Sequence, residues 1–342
     1  MEKLNFKKIK KPYLIAEIGG NHNANLKSAL EGIRNAKISG ANCVKFQMYT
    51  ASSLVLPNMK LMNHVKKISN EKSQYERFKR LELKEKDIKI LHKKALKEKI
   101  HFAVTPFDIS FVDFLNRYVT FFKVASGDLN YFPLLEKISK YKKPVILSTG
   151  MSNFKEIREA LKILKKNQVA LLHCISAYPT NDSDLNLSTL VKLKKQFNST
   201  IGLSDHTKDS TGAIMAISMG AKIIEKHFLP NSRIRKVGDF KLSLNPKEFS
   251  QFSKKILSAY KTVGIPRKEP FKNEMFFFNS LRRSIYFKQN MKKKSLIKIS
   301  DITFLRPYNS KGLEIKDYKF AIGKKLSKNV NKFQLVRKKY LS

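Results

Sequence analysis

Ile201-Gly202-Leu203-Ser204-Asp205-His206-Thr207 and Ala221-Lys222-Ile223-Ile224-Glu225-Lys226-His227 are two apolar runs that each close on or beside a histidine. Residues 212–219 between them have a helix-like texture, so the segment reads as one strand–helix–strand unit. Short apolar runs suit strands buried on both faces, as a parallel sheet requires. Neighbouring parallel strands end side by side, so the two imidazoles converge on one point. Two imidazoles with one or two carboxylates near by suit a divalent transition ion that keeps positions open for water and substrate.

The same alternation extends outward from this unit. Strand-like runs cover 13–18, 43–47, 102–105, 121–126, 145–149, 169–174, 201–204 and 221–227, with helical stretches between them. In 26–39, for example, Leu26, Ala29, Leu30, Ile33 and Ala36 recur at three-and-four spacing. Eight consecutive strands alternating with helices predict an α/β fold, a (β/α)8 TIM barrel. A doubly wound open sheet competes, but no Gly-rich dinucleotide turn follows the first strand. The long polar connection 48–81 reads as a lid-like loop over the barrel's active face. The expected domains are a barrel over 1–265, a linker over 266–281 and a short-stranded module over 282–342. About sixty residues are few for an independent core, so this module is expected to pack on another surface.

Composition bounds the partners. The chain has 69 Lys and Arg against 27 Asp and Glu, a formal charge of +42. The excess is mostly lysine spread over nearly every predicted helix and loop, and no zinc-finger spacing, RNP-like run or helix-turn-helix accompanies it. The charge therefore reads as solvated surface, with no specific nucleic-acid partner. A cationic binding protein on a degenerate barrel is the alternative from a different class. No apolar run reaches the ~18–20 residues of a membrane span, and no apolar h-region follows the charged N-terminus, so neither membrane nor signal peptide is expected. Cys43 and Cys174 sit in apolar runs, as buried thiols of a reduced cytoplasmic protein do.

A barrel's active site lies where its strands end, and the strand ends here are rich in functional groups. Glu17 closes the first strand, and Lys45 and Gln47 lie on one face of the second. Thr105 closes the third, Lys123, Ser126 and Asp128 follow along the fourth, and Ser148 closes the fifth. His173 ends the sixth with Tyr178 beyond it, and Ser204, His206 and His227 end the last two. Two lysines, several hydroxyls and glycine-bordered turns at one mouth make a cradle for a small phosphorylated anion.

These motifs carry a resemblance. Ala16-Glu17-Ile18-Gly19, Val44-Lys45-Phe46-Gln47, Thr105-Pro106-Phe107-Asp108, Lys123-Val124-Ala125-Ser126-Gly127-Asp128, Ser148-Thr149-Gly150-Met151, Tyr178-Pro179-Thr180, Ser204-Asp205-His206-Thr207 and Glu225-Lys226-His227 occur in the order seen in the sialic acid synthase (NeuB) family, which the chain resembles over essentially its whole length. The last sixty or so residues, including Arg306-Pro307, resemble that family's SAF (antifreeze-like) domain. The resemblance implies condensation of phosphoenolpyruvate with an N-acetylated mannosamine-type sugar to a nine-carbon 2-keto acid and phosphate. It implies that His206 and His227 ligate a divalent metal (Mn2+, Mg2+ or Co2+), and that Lys45, Thr105, Lys123, Ser126, Ser148 and Ser204 hold phosphoenolpyruvate. Glu17, Gln47, Tyr178 and Asp239 match groups around the sugar and the reacting centre, with Glu17, Lys45 and Lys123 as the catalytic set. Arg306 matches an arginine given to the partner's site in a domain-swapped homodimer.

Departures accompany the match. The chain reads Val237-Gly238-Asp239 where Gly-Pro-Asp is common, and Asp128 stands where many relatives carry Glu. The acceptor, N-acetylmannosamine or a 2,4-diacetamido-6-deoxy hexose, stays open. The nearest rivals are a KDO 8-phosphate- or DAHP-type synthase, which lacks the C-terminal module, and a Schiff-base aldolase using Lys45 or Lys123.

Overall fold

Side chains alternate across a strand, and here the alternation separates two cores. The computed structural model describes residues 4–63, 65–66, 68, 70–234 and 238–342. Eight strands, β1 (Tyr13–Glu17), β2 (Cys43–Met48), β3 (His101–Pro106), β4 (Phe122–Val124), β5 (Val145–Ser148), β6 (Val169–Cys174), β7 (Thr200–Asp205) and β8 (Ile223–His227), are all parallel and close on themselves. Outward residues such as Ala16, Val44, Phe102, Val124, Leu147 and Leu203 join the core between barrel and helices. Inward residues Ile15, Cys43, Ala103, Phe121, Ile146, Leu172 and Ile223 form a separate apolar floor inside the barrel. Phe6, from the segment before β1, stoppers the bottom edge-on against Phe121, and its N–H donates to Gln168.

The helices are α1 (Leu26–Ile38), α2 (Ala51–Leu54), α3 (Gln74–Leu81), α4 (Glu85–Lys97), α5 (Val112–Asn116), α6 (Phe132–Ser139), α7 (Phe154–Ile163), α8 (Ser188–Gln196), α9 (Thr211–Ser218), α10 (Pro246–Val263) and α11 (Lys272–Leu281). Local chemistry sets their starts. Asn153 with Glu156 and Asn245 with Glu248 form capping boxes for α7 and α10, and Pro246 occupies the first turn of α10. The connection read as a lid-like loop holds two helices, α2 and α3.

The chain divides into two compact units, Met1–Gly264 and Ile265–Ser342. The second has β9 (Ser284–Phe287) paired antiparallel with β10 (Ile302–Leu305). Contrary to expectation it has its own core, in which Ile285, Phe287, Ile297, Leu326 and Val336 are all buried. The stretch 266–281, read as linker, contains the ten-residue α11, which buries none of its residues.

His22, in the turn after β1, supplies a test of burial. It is 2% exposed and its Nδ1 accepts the Ala24 N–H, a bond available only to the neutral ring. Burial, reinforced by Arg80, pushes its pKa from 6.5 down to about 4. A depressed histidine pKa stabilises the fold fully above 6.5, and that stability is lost as pH falls toward 4. The contribution is on the order of 3 kcal/mol. Urea melts from pH 7 to 4 should therefore show a shallower loss in His22→Gln than in the parent; parallel curves would refute the assignment.

Candidate active site

Register builds the site. Glu17 pairs with Lys45 on one side and with His227 on the other, Gln47 pairs with Thr105, and Ser204 pairs with Glu225. Glu17, Lys45, Thr105 and Glu225 lie one step of two above the apolar floor, and Gln47 and His227 lie two steps above it. Together with Lys123, Ser148 and Cys174 they form a polar ring at the C-terminal mouth. Thirteen of the fourteen residues expected from the sequence line one cavity of about 670 Å³ above this ring: Glu17, Lys45, Gln47, Thr105, Lys123, Ser126, Asp128, Ser148, Tyr178, Ser204, His206, His227 and Asp239. The fourteenth, Arg306, follows β10 in the second unit and is exposed. His173 is not in the cavity. Its parity turns it outward, where Nε2 meets the Leu185 carbonyl at 2.7 Å.

Four buried charges form the centre. Lys45 Nζ lies 2.7 Å from Glu17 Oε2 and 3.9 Å from Glu225 Oε2, and it donates to Thr105 Oγ1 at 3.2 Å. Lys123 Nζ donates to Ser148 Oγ at 2.8 Å and lies 3.8 Å from Glu225 Oε1. Ser204 Oγ donates to Glu225 Oε1 at 3.0 Å, and Gln47 Nε2 to Glu17 Oε1 at 2.7 Å. Gly19 lets the chain turn away beneath these groups: its φ is +49°, and a Cβ there would lie 2.9 Å from Glu17 Oε1.

The two carboxylates respond differently to burial. Burial raises the pKa of Glu17 and prevails over Lys45, with Glu225 adding to the rise. For Glu225 burial acts the same way, but Lys123, Lys45 and Ser204 together hold its pKa below the ordinary value. Burial lowers the Lys123 pKa, whereas Glu17 and Glu225 overcome it for Lys45 and raise that one. Of these two, Glu17 is thus the carboxyl that takes a proton more readily. Burial also pushes Asp128 up to about 6.

His206 and His227 lie 5.3 Å apart between ring centroids, and Tyr178 lies 4.3 Å from His206. His206 Nδ1 donates to the Ile175 carbonyl at 2.9 Å, which leaves Nε2 the lone-pair nitrogen of the neutral ring. His227 Nδ1 is buried without a hydrogen-bond partner, 3.6 Å from Asp239 Oδ2, and burial pushes its pKa down to about 4. Two imidazoles beside carboxylates suit a divalent cation with open positions. Among the described residues no group of three His, Cys, Asp or Glu is already set at ligating spacing, so water or substrate oxygens would complete the shell. Behind the histidines, Asp205 and Lys226 form a fully buried ion pair at 2.9 Å. Asp205 also accepts from the Thr207 N–H and hydroxyl, tying the ends of β7 and β8 together.

Several site residues had no role assigned from sequence. Glu225 sits between the lysines, and its signal was its parity: two residues before His227 and in register with Ser204. Cys174 completes the ring, its sulfur 3.9 Å from His206 Nδ1. Gln74 and Arg77 of α3 line the cavity from the 48–81 connection. Of the basic run before Asp239, residues 235–237 lie outside the described residues.

A closed eight-stranded barrel with a charged ring at its C-terminal mouth defines a (β/α)8-barrel enzyme. The chain belongs to the NeuB family, whose model matches residues 32–268. It is 37% identical to an N,N'-diacetyllegionaminic acid synthase of Campylobacter jejuni, over 96% of this chain and 100% of that protein. It is 31% identical to the human N-acetylneuraminate-9-phosphate synthase, over 92% of this chain and 88% of that one. Among solved structures it resembles the N-acetylneuraminic acid (sialic acid) synthetase of Leptospira borgpetersenii, crystallised with citrate. That match has a TM-score of 0.70 and 32% identity over 80% of this chain and 93% of that one. No helix among the described residues is long and apolar enough to cross a membrane.

Proposed function

We propose that the protein condenses phosphoenolpyruvate with an N-acetylated mannosamine-type hexose, giving a nine-carbon 2-keto sugar acid and phosphate. The observation that carries this reading is the ring in which Lys45 and Lys123 face one small cavity beside Glu17, Glu225, Ser148 and Ser204. Family membership and the named relatives support it. Two ammonium groups and two hydroxyls offer charge and donors for a phosphate and a carboxylate on one three-carbon skeleton. With both carboxylates ionised the four charges cancel, so an entering anion favours protonation of Glu17, the carboxyl whose pKa burial already raises.

A bound divalent cation, held by His206 and His227, would supply Lewis-acid polarisation of the acceptor aldehyde; the mixed nitrogen and oxygen donors suit manganese or cobalt better than magnesium, which prefers oxygen. Carbon 3 of the enol forms the new bond to the aldehyde carbon, whose oxygen takes a proton. Water adds at carbon 2 and loses one proton, and the bond from carbon 2 to the phosphate oxygen then breaks, its electron pair leaving with the phosphate, which takes the second proton as the new hydroxyl becomes the keto group. Glu17 is placed to carry a proton between these steps, with Gln47 fixing its orientation. Lys45 and Lys123 stabilise the departing phosphate, and Thr105, Ser126 and Asp128 bound the space around it.

We assign the second unit as an SAF domain that delivers Arg306 to a partner's site in a domain-swapped homodimer. The exposed apolar face of α11, with Phe276 80% exposed, supports a second copy as that partner. The working compartment is the cytoplasm. Phosphate release from phosphoenolpyruvate, measured with Mn2+ and N-acetylated hexoses, tests the reading. Phosphate and 2-keto acid should appear in equal amounts. Release only with a phosphorylated aldose such as arabinose 5-phosphate, or borohydride trapping of pyruvate on a lysine, would refute it.

A further inference from the structure

The two histidines stand on a charged support that faces away from the cavity. Asp205 and Lys226 are direct partners across β7 and β8, and each immediately precedes one of the imidazoles, His206 and His227. Strand parity turns both side chains outward, two residues beyond Leu203 and Ile224 of the apolar layer between barrel and helices. Neither lines the cavity, and both side chains are wholly inaccessible.

A buried ion pair at such a place adds little stability over an apolar pair of the same size, because desolvation consumes most of the attraction. What this pair supplies is direction. Lys226 Nζ donates to Asp205 Oδ2 at 2.9 Å and also to the Thr207 carbonyl. Asp205 Oδ1 accepts the Thr207 N–H at 2.9 Å and the Thr207 hydroxyl at 2.8 Å. Thr207 is thus held through its N–H, hydroxyl and carbonyl, which fixes the backbone of His206 between two anchored neighbours. The His206 carbonyl accepts the Thr180 N–H at 3.0 Å, and its ring is oriented by the bond from Nδ1 to the Ile175 carbonyl. His227 has no hydrogen bond at Nδ1. Its placement falls on the backbone at the end of β8, where Lys226 ties it to the braced turn of β7.

We propose that Asp205 and Lys226 are positioning residues: their cross-strand bond, with Thr207, sets the separation and orientation of His206 and His227, and through them the affinity for a divalent cation. Ligands held from behind are ordered before the ion arrives, so binding costs less reorganisation. The pair acts from the outer face of the barrel and touches neither substrate nor reacting atoms. This inference rests on the metal reading above.

The test compares the parent with the double variant Asp205→Asn/Lys226→Met, substrate-free, by Mn2+ titration read by electron paramagnetic resonance. Asparagine keeps an oxygen for the Thr207 N–H, and no orphaned charge remains. The double variant should therefore melt in urea at the parent's midpoint or above it. Its Mn2+ affinity should nevertheless fall by about 10-fold or more. KM for phosphoenolpyruvate should hold, because the lysine ring is untouched. Thr207→Val removes only the hydroxyl from the brace and keeps the charges paired, and it should lose about threefold in Mn2+ affinity. That variant decides the matter if the double one does not fold. Mn2+ affinity within twofold of the parent in the folded double variant, or unchanged affinity in Thr207→Val should the double variant not fold, overturns the inference while the metal reading stands. So does a loss of Mn2+ affinity matched by an equal rise in KM for phosphoenolpyruvate, which would mark general disruption of the mouth. A parent that binds no Mn2+ overturns the metal reading and this inference together.

Discussion

Lys123→Met is expected to lower kcat/KM for phosphoenolpyruvate by about 10³-fold or more. The side chain is nearly inaccessible and touches Ser148 and the Val124 carbonyl, with Glu225 at 3.8 Å. Removing it leaves Glu225 with Lys45 as its one cation, at 3.9 Å, and gives the ring a net negative charge where the proposed reading seats an anion. A buried carboxylate that loses its cation also destabilises the fold, by roughly 3 kcal/mol. A double variant separates the two effects. Adding Glu225→Gln to Lys123→Met removes the orphaned charge, so urea melts should recover most of the lost stability while turnover stays absent. Activity of Lys123→Met within tenfold of the parent would show that the anion is held elsewhere.

The second large effect concerns the histidine pair. His206→Ala and His227→Ala should each lower turnover by about 10³-fold, the several kcal/mol that Lewis-acid assistance supplies. Each should also weaken Mn2+ binding, read by electron paramagnetic resonance, by about 100-fold. That readout separates loss of a ligand from loss of a general base. Dialysis of the parent against EDTA should abolish phosphate release, and Mn2+ should restore it. Undiminished turnover by the chelated parent would end the metal assignment, and so would a His206→Ala protein that binds Mn2+ normally.

The barrel was legible because its strands are short, apolar on both faces and evenly interrupted by amphipathic helices. Their order and number follow from that texture alone. Parity carried the site as well: Lys45 and Gln47 share a face for the same reason that Glu225 and His227 do. Glu225 nonetheless received no role, because a carboxylate within an apolar run gains meaning only from neighbours on other strands. Those neighbours, Ser204 and the two lysines, are distant in sequence. Gln74 and Arg77 were illegible for another reason. They lie in a long polar connection whose helices are short, and their direction is set by contacts with Met59 and Gly238 rather than by periodicity. The second unit was misjudged on size. Its core is assembled from scattered single residues such as Ile297, Leu313 and Val330, which leave little periodic trace.

The apolar floor beneath the ring, stoppered by Phe6, makes the barrel a well with one opening. Traffic through a single opening is ordered by depth: the molecule seated lowest enters first and leaves last. Under the proposed reading, phosphoenolpyruvate on Lys45 and Lys123 must arrive before the hexose seated above it, and phosphate must wait for the sugar acid to depart. The residues that close the bottom of the barrel, far from any reacting atom, therefore dictate the kinetic order of the enzyme.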